Sequence, residues 1–304
     1  MSRCSKSFRD AMPQDDHPYR SVLYMPGSRP RALEKARSLP ADALILDLED
    51  AVAPAEKPRA RELVAEAVAA GGYGRRKLLV RVNGLDTAWG EADLAAACAA
   101  GPDAILLPKV ETPADVTRAA DLLARHGAPE GCTIWAMMET PRAMLNAGAV
   151  AGAHPRLEGF VMGTNDLVKE LGAAHTPDRL PLVASLGLCL LAARAEGLVC
   201  VDGVFNAFQD QEGLRAACVQ GREMGFDGKT LIHPDQLAVT NEVFAPSPED
   251  VALAREQVAA FEAAEARGEG VAVVNGRIVE NLHVVTAKRL LARAAVIAEL
   301  EAAQ

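Results

Sequence analysis

The chain reads as an α/β protein, a (β/α)8 TIM barrel with a C-terminal hairpin–helix extension. Three observations point there. Eight short runs rich in Val, Ile and Leu alternate with longer Ala-, Glu- and Arg-rich stretches of helical period between Ser21 and Pro234. Their starts lie roughly 20–40 residues apart, room for one helix and two loops per repeat, which parallel strands require. No Gly-, Pro- or Ser-rich linker interrupts the series before APSPED at 245–250.

Taken in order, the expected strand runs are SVLYMPG (21–27), DALILDLED (42–50), LLVRVNG (78–84), AILLPKV (104–110), TIWAMMET (133–140), LEGFVMGTND (157–166), VCVDGVFNAF (199–208) and DGKTLIHP (227–234). A doubly wound dinucleotide fold is the rival. It lacks a GxGxxG after the first strand, and GGYG at 71–74 precedes a strand instead. Beyond the barrel, residues 249–268 read as an amphipathic helix. VAVVNGRIVE (271–280) then places Asn275-Gly276 between two apolar runs, the signature of a type I′ hairpin, and a terminal helix follows. The expected organisation is therefore a disordered tail over 1–19, a catalytic barrel over 20–248 and an extension over 249–304. That extension would be a lid over the site or an arm onto a neighbouring subunit's site.

Composition narrows the functional class. Half of the 304 residues are hydrophobic and 24% are charged, which suits a globular fold. A net charge of −9 disfavours nucleic acid or an anionic membrane as the main partner, since both need a basic surface. Cys4, Cys98, Cys132, Cys189, Cys200 and Cys218 form no CxxC pair, so neither a zinc site nor a disulfide framework is indicated, and a cytoplasmic setting is expected. No signal-peptide core and no stretch of 18 apolar residues occurs.

Polar residues collect at the expected C-terminal ends of the strands, where barrel enzymes build their sites. Glu139 and Asp166 fall at the ends of consecutive runs, on neighbouring strands about 5 Å apart. Two carboxylates there suit Mg²⁺, which takes one or two and completes its octahedron with water and substrate oxygens. Alternatively, each caps the next helix or pairs with an Arg. Arg81 would meet a substrate anion or a partner carboxylate, and Glu49 and Asp50, on alternate sides of the second strand, join Asp47 in an acidic cluster suited to holding water around a cation. Lys109 is a candidate for a Schiff base, although an acidic rim would keep its amine protonated as a salt-bridge partner. His233 is a base, a ligand or a satisfied loop histidine. The basic segment SRPRALEKAR (28–37) is a phosphate contact or a solvated helix face.

Together, RSVLYMPGSRPRALEKA, LILDLEDAVAPAEKPRAR, LLVRVNGLDTAWGEADL, ILLPKVET, METPRA, MGTNDLVKELG and GFDGKTLIHPDQL resemble the citrate lyase β-subunit-like and malyl-CoA lyase family of the HpcH/HpaI aldolase superfamily. The resemblance implies a Mg²⁺-dependent carbon–carbon lyase, with Mn²⁺ as a substitute, that cleaves malyl-CoA, methylmalyl-CoA or citramalyl-CoA to an acyl-CoA and a 2-oxo acid. It implies Glu139 and Asp166 as metal ligands, Glu49 and Asp50 holding metal-bound water, Arg81 on the thioester or substrate oxygen, and Arg29 and Lys35 by the CoA phosphates. A homo-oligomer, trimer or hexamer, is implied too. Relatives carry a tail pattern like DGxMIDxPH, whose second Asp is an acid/base donated across a subunit interface; this chain reads NGRIVENLH, with Glu280 at that position. The alternatives are a citrate lyase β subunit acting on a carrier-protein thioester, a malyl-CoA thioesterase and, outside enzymes, a catalytically silent scaffold subunit.

Overall fold

A computed structural model describes residues 17–302. Eight parallel strands close on themselves: β1 Ser21–Pro26, β2 Ala43–Asp47, β3 Lys77–Arg81, β4 Ala104–Leu107, β5 Thr133–Met138, β6 Leu157–Met162, β7 Val199–Asp202 and β8 Gly228–Leu231. The closing pair sets Val22 of β1 against Thr230 of β8. Between the strands run α1 Pro30–Ala36, α2 Lys57–Ala70, α3 Gly90–Ala100, α4 Pro113–Arg125, α5 Pro141–Ala151, α6 Thr164–Leu171, α7 Leu180–Glu196 and α8 Gln211–Met224. After β8 come α9 Leu237–Phe244, α10 Pro248–Glu265, the strands β9 Ala272–Val274 and β10 Arg277–Val279, and α11 Asn281–Ala302.

Strand alternation sorts the side chains into two cores. Val22, Ala43, Ile45, Leu79, Leu106, Trp135, Met137, Val161 and Val201 fill the barrel, while Leu23, Leu44, Leu46, Val80, Ile105 and Phe160 pack outward beneath the helices. Both faces of each strand are buried, as the near-continuous apolar runs required. Residues 1–16 of the expected tail lie outside the described residues. Its last residue, Tyr19, belongs instead to the barrel: it is 3% exposed, with its ring centroid 5.0 Å from that of Trp135.

Among the described residues the chain divides into two compact units, the barrel over 19–244 and a second unit over 245–302 together with 17–18. In the second, Phe261 and Ala264 of α10 are buried with Ala272, Val279 and Val284 in a small core. Asn275 and Gly276 both have positive φ, 50° and 73°, as the type I′ turn demands. Among the described residues no helix is long and apolar enough to cross a membrane.

Candidate active site

At the C-terminal end of the barrel a cavity of about 320 Å³ is lined by Tyr24, Asp47, Asp50, Ala51, Arg81, Met137, Glu139 and Met162, by Gly163 through Asp166, and by Val204 and Ile232. Several different strand ends meet here. Two details of the strand reading change. Strand β2 stops at Asp47, so Glu49 and Asp50 do not alternate along a strand; they sit in a turn held by the Asp47 carboxylate, which accepts the backbone N–H of Glu49 (2.9 Å) and of Ala51 (3.1 Å). Strand β6 stops at Met162, so Asp166 stands in the first turn of α6 rather than at a strand end.

Arg81 binds the acids together. Its Nε and Nη2 donate to Asp47 Oδ1 and Oδ2, each at 2.7 Å, and its guanidinium lies 4.9 Å over the Tyr24 ring. Nη1 is 2.9 Å from Glu49 Oε2 and 3.6 Å from Asp50 Oδ2. The Glu49 oxygen lies off the N–H direction and accepts no hydrogen bond, although it is buried. The partner-carboxylate reading of Arg81 thus holds, with Nη1 as its less committed edge.

Glu139 follows β5 and is 1% exposed. It does not cap α5: Thr140 does, accepting from Ala143 N at 3.1 Å ahead of Pro141, which leaves the Glu139 carboxylate for the cavity. Its Oε1 accepts the backbone N–H of Lys109 at 2.7 Å. A Cβ built on Gly163 would strike Glu139 Cβ and Oε2, so only glycine fits the start of α6 beside it. Burial, then the charge of Asp166, push Glu139 up to about 7 despite the Lys109 N–H. Burial also raises Glu49 to about 7, with Asp50, Glu139 and Asp47 adding to the shift against Arg81. Lys109 Nζ stands 3.9 Å from Asp166 Oδ1. Burial disfavours its charge, but Asp166 and Glu139 outweigh this and hold its pKa above the ordinary value, which is the salt-bridge reading rather than a Schiff-base nucleophile.

Asp47, Asp50, Glu139 and Asp166 line the cavity beside Arg81, with Glu49 2.9 Å from Arg81 and Lys109 3.9 Å from Asp166, so carboxylates outnumber cations here. This excess of carboxylates, with a buried Glu49 oxygen that accepts no hydrogen bond, fits a divalent cation on hard oxygen ligands. Among the described residues no group of three or more His, Cys, Asp or Glu is arranged for a metal.

The remaining expected residues lie elsewhere. Arg29 and Lys35 are exposed, at the turn before α1 and on α1, and neither lines the cavity. His233 is a satisfied loop histidine: its Nδ1 accepts from Asp235 N at 3.2 Å and its ring stacks on Phe208 at 4.4 Å. Glu280 belongs to the second unit, exposed between β10 and α11, where its N–H donates to His283 Nδ1 at 3.0 Å. Sequence reading overlooked Tyr24, Gly163 and the apolar wall of Met137, Met162, Val204 and Ile232. Tyr24 shares inward parity with Val22, and Gly163 separates strand from helix; those signals were present in YMPG and MGTND.

The HpcH/HpaI aldolase/citrate lyase family model matches residues 20–234. The chain belongs to this family. A (3S)-malyl-CoA thioesterase of Cereibacter sphaeroides (strain KD131 / KCTC 12085) is 61% identical over 291 residues, 96% of this chain and 100% of that protein. An L-malyl-CoA/beta-methylmalyl-CoA lyase from Cereibacter sphaeroides (strain ATCC 17025 / ATH 2.4.3) is 35% identical, over 96% of this chain and 99% of that one. Among solved structures, CitE from Mycobacterium tuberculosis in complex with magnesium, acetoacetate and coenzyme A aligns at a TM-score of 0.72 with 30% identity, covering 94% of this chain and 99% of its own.

These relatives are enzymes on a shared barrel, but they correct the expected reaction. The full-length relatives at about 60% identity bear a thioesterase name, whereas the lyase names come with relatives at 35–36%. The carbon–carbon lyase expectation is therefore replaced. The misreading has a physical origin: paired carboxylates beside an Arg would suit either reaction, and their spacing along the chain does not tell hydrolysis from carbon–carbon cleavage.

Proposed function

We propose that the protein hydrolyses the thioester of a 3-hydroxyacyl-CoA of the (3S)-malyl-CoA type, releasing CoA and the free acid, with Mg²⁺ or Mn²⁺ as the metal. The observation that carries this reading is the 61% identity along the whole of a (3S)-malyl-CoA thioesterase. Glu139 and Asp166 would hold the metal, which when bound would polarise the substrate's oxygens and balance the crowded carboxylates. Arg81, fixed by Asp47, offers Nη1 to charge developing on the thioester oxygen. Met137, Met162, Val204 and Ile232 supply the apolar side of the cavity and exclude bulk water from the acyl group. Glu49 Oε2, buried and accepting no hydrogen bond, takes a proton from the attacking water. The water oxygen joins the carbonyl carbon, the C–S bond breaks, and the thiolate leaves with CoA and is protonated in solvent.

Arg29 and Lys35, exposed at the start of α1 and in its last turn, are proposed contacts for the CoA phosphates. Glu280 is proposed as a second acid/base group reaching the site of a neighbouring subunit in a homo-oligomer, and a Glu280→Ala variant with unchanged hydrolysis would remove that role. The activity test follows free thiol and 2-oxo acid separately from (3S)-malyl-CoA, with Mg²⁺ and with EDTA. Thiol release without glyoxylate, abolished by EDTA, is expected. Glyoxylate appearing in step with consumed substrate would overturn the reading.

A further inference from the structure

Among the described residues only Lys109, Arg179 and Asn275 combine a side chain with a positive φ. Asn275 forms the hairpin turn. Arg179 precedes α7 and is tied by a buried ion pair to Asp202. Lys109 has φ 50°, a left-handed conformation that is disfavoured for a non-glycine residue and that calls for a local reason. The conformation aims its backbone N–H at Glu139 Oε1, 2.7 Å away, while the missing Gly163 side chain leaves room beside Oε2. The same residue then sends its ammonium to the other expected ligand, 3.9 Å from Asp166 Oδ1, along a side chain that is 54% exposed.

We infer that Lys109 is a positioning residue with two separable contacts. Its main chain clamps Glu139, and its ammonium is a resident counter-cation of the carboxylate pair that a divalent ion must displace. The clamp is short, on a carboxylate that is 1% exposed; the counter-ion is long, half exposed and free to swing into solvent. Lys109 thus sets how tightly the site takes its metal. This inference rests on the metal reading under the proposed function.

The test titrates Mn²⁺ alone, without substrate, into the full-length protein and its Lys109→Met, Lys109→Gly and Lys109→Val variants by calorimetry and electron paramagnetic resonance, with thermal melts to verify folding. Losing the ammonium removes a repulsion, so Met and Gly variants should bind Mn²⁺ about three- to tenfold more tightly. Val, which resists positive φ, should pull the N–H off Glu139 and bind more weakly than Met despite the same charge. Met and Gly variants no tighter than the parent would overturn the counter-ion role, and Val equal to Met would overturn the clamp. A parent protein that binds no Mn²⁺ would instead overturn the metal reading itself.

Discussion

Glu139 and Glu49 are carboxyls held at about 7 by burial and by one another's neighbours, well above their value in an unfolded chain. The folded state therefore holds more protons than the unfolded one between about pH 4.5 and 7, and metal-free stability falls as pH rises across that window. The loss approaches 1.4 kcal/mol per pH unit for each group still protonated in the fold. Melting in EDTA should accordingly be lower at pH 8 than at pH 5.5, with Mg²⁺ restoring the difference. A melting temperature that rises with pH in EDTA would contradict this charge assignment. Gly163→Ala tests the packing around Glu139. The added methyl meets Glu139 directly, so a cost of about 1–3 kcal/mol in denaturant stability and loss of Mn²⁺ binding are expected. Neither carboxylate's environment is legible in the sequence: METP and DLED name the residues, but rotamers and burial arise from strands distant in the chain.

The β2–α2 turn is the element on which the acidic cluster depends. Lys57, 6% exposed, fills all its donor directions with Leu48 O (3.0 Å), Glu49 O (2.9 Å) and Asn83 Oδ1 (2.6 Å), stitching the turn to the end of β3. Lys57→Met leaves Asn83 Oδ1 without its donor, at about 1–3 kcal/mol, while Leu48 O keeps the Asn83 amide and Glu49 O the Val52 N–H, and it loosens the turn that carries Glu49 and Asp50. Hydrolysis should fall at least about tenfold in kcat while the fold survives; unchanged kcat would show that the turn holds its shape without this ammonium. A contrasting element is the joint of α7, β7 and β8, where Asp202 meets Lys229 Nζ at 2.8 Å and Arg179 Nη1 at 2.7 Å. Burial opposes the Asp202 charge, yet both cations hold its pKa low. None of the three lines the cavity. Asp202→Asn should cost about 3–5 kcal/mol by chemical denaturation and leave kcat near the parent value where the protein remains folded. Element positions were legible from apolar runs and turn signals, as all eight strands and the Asn275-Gly276 hairpin show. Element ends were not, because Asp47 and Met162 stop their strands through side-chain turns and helix starts rather than through a change in hydrophobicity.

At the level of the whole molecule, the closed barrel explains why residues from 24 to 232 in the chain meet in one cavity. That convergence is legible in the order of apolar runs alone, since parallel strands place all their C-terminal ends on one rim. The reaction is not. A site that binds a 3-hydroxyacyl thioester can break its C–S bond or the carbon–carbon bond beside it, and the choice lies in where water is admitted and which proton is removed first. Hydrolysis leaves a mark that cleavage does not. The decisive measurement is turnover of (3S)-malyl-CoA with Mg²⁺ in isotopically labelled water, reading the label in the products by mass spectrometry. One labelled oxygen in the carboxylate of released malate, with an equivalent of CoA thiol, is expected. Acetyl-CoA and glyoxylate as the products, with no labelled malate, would contradict the hydrolytic assignment.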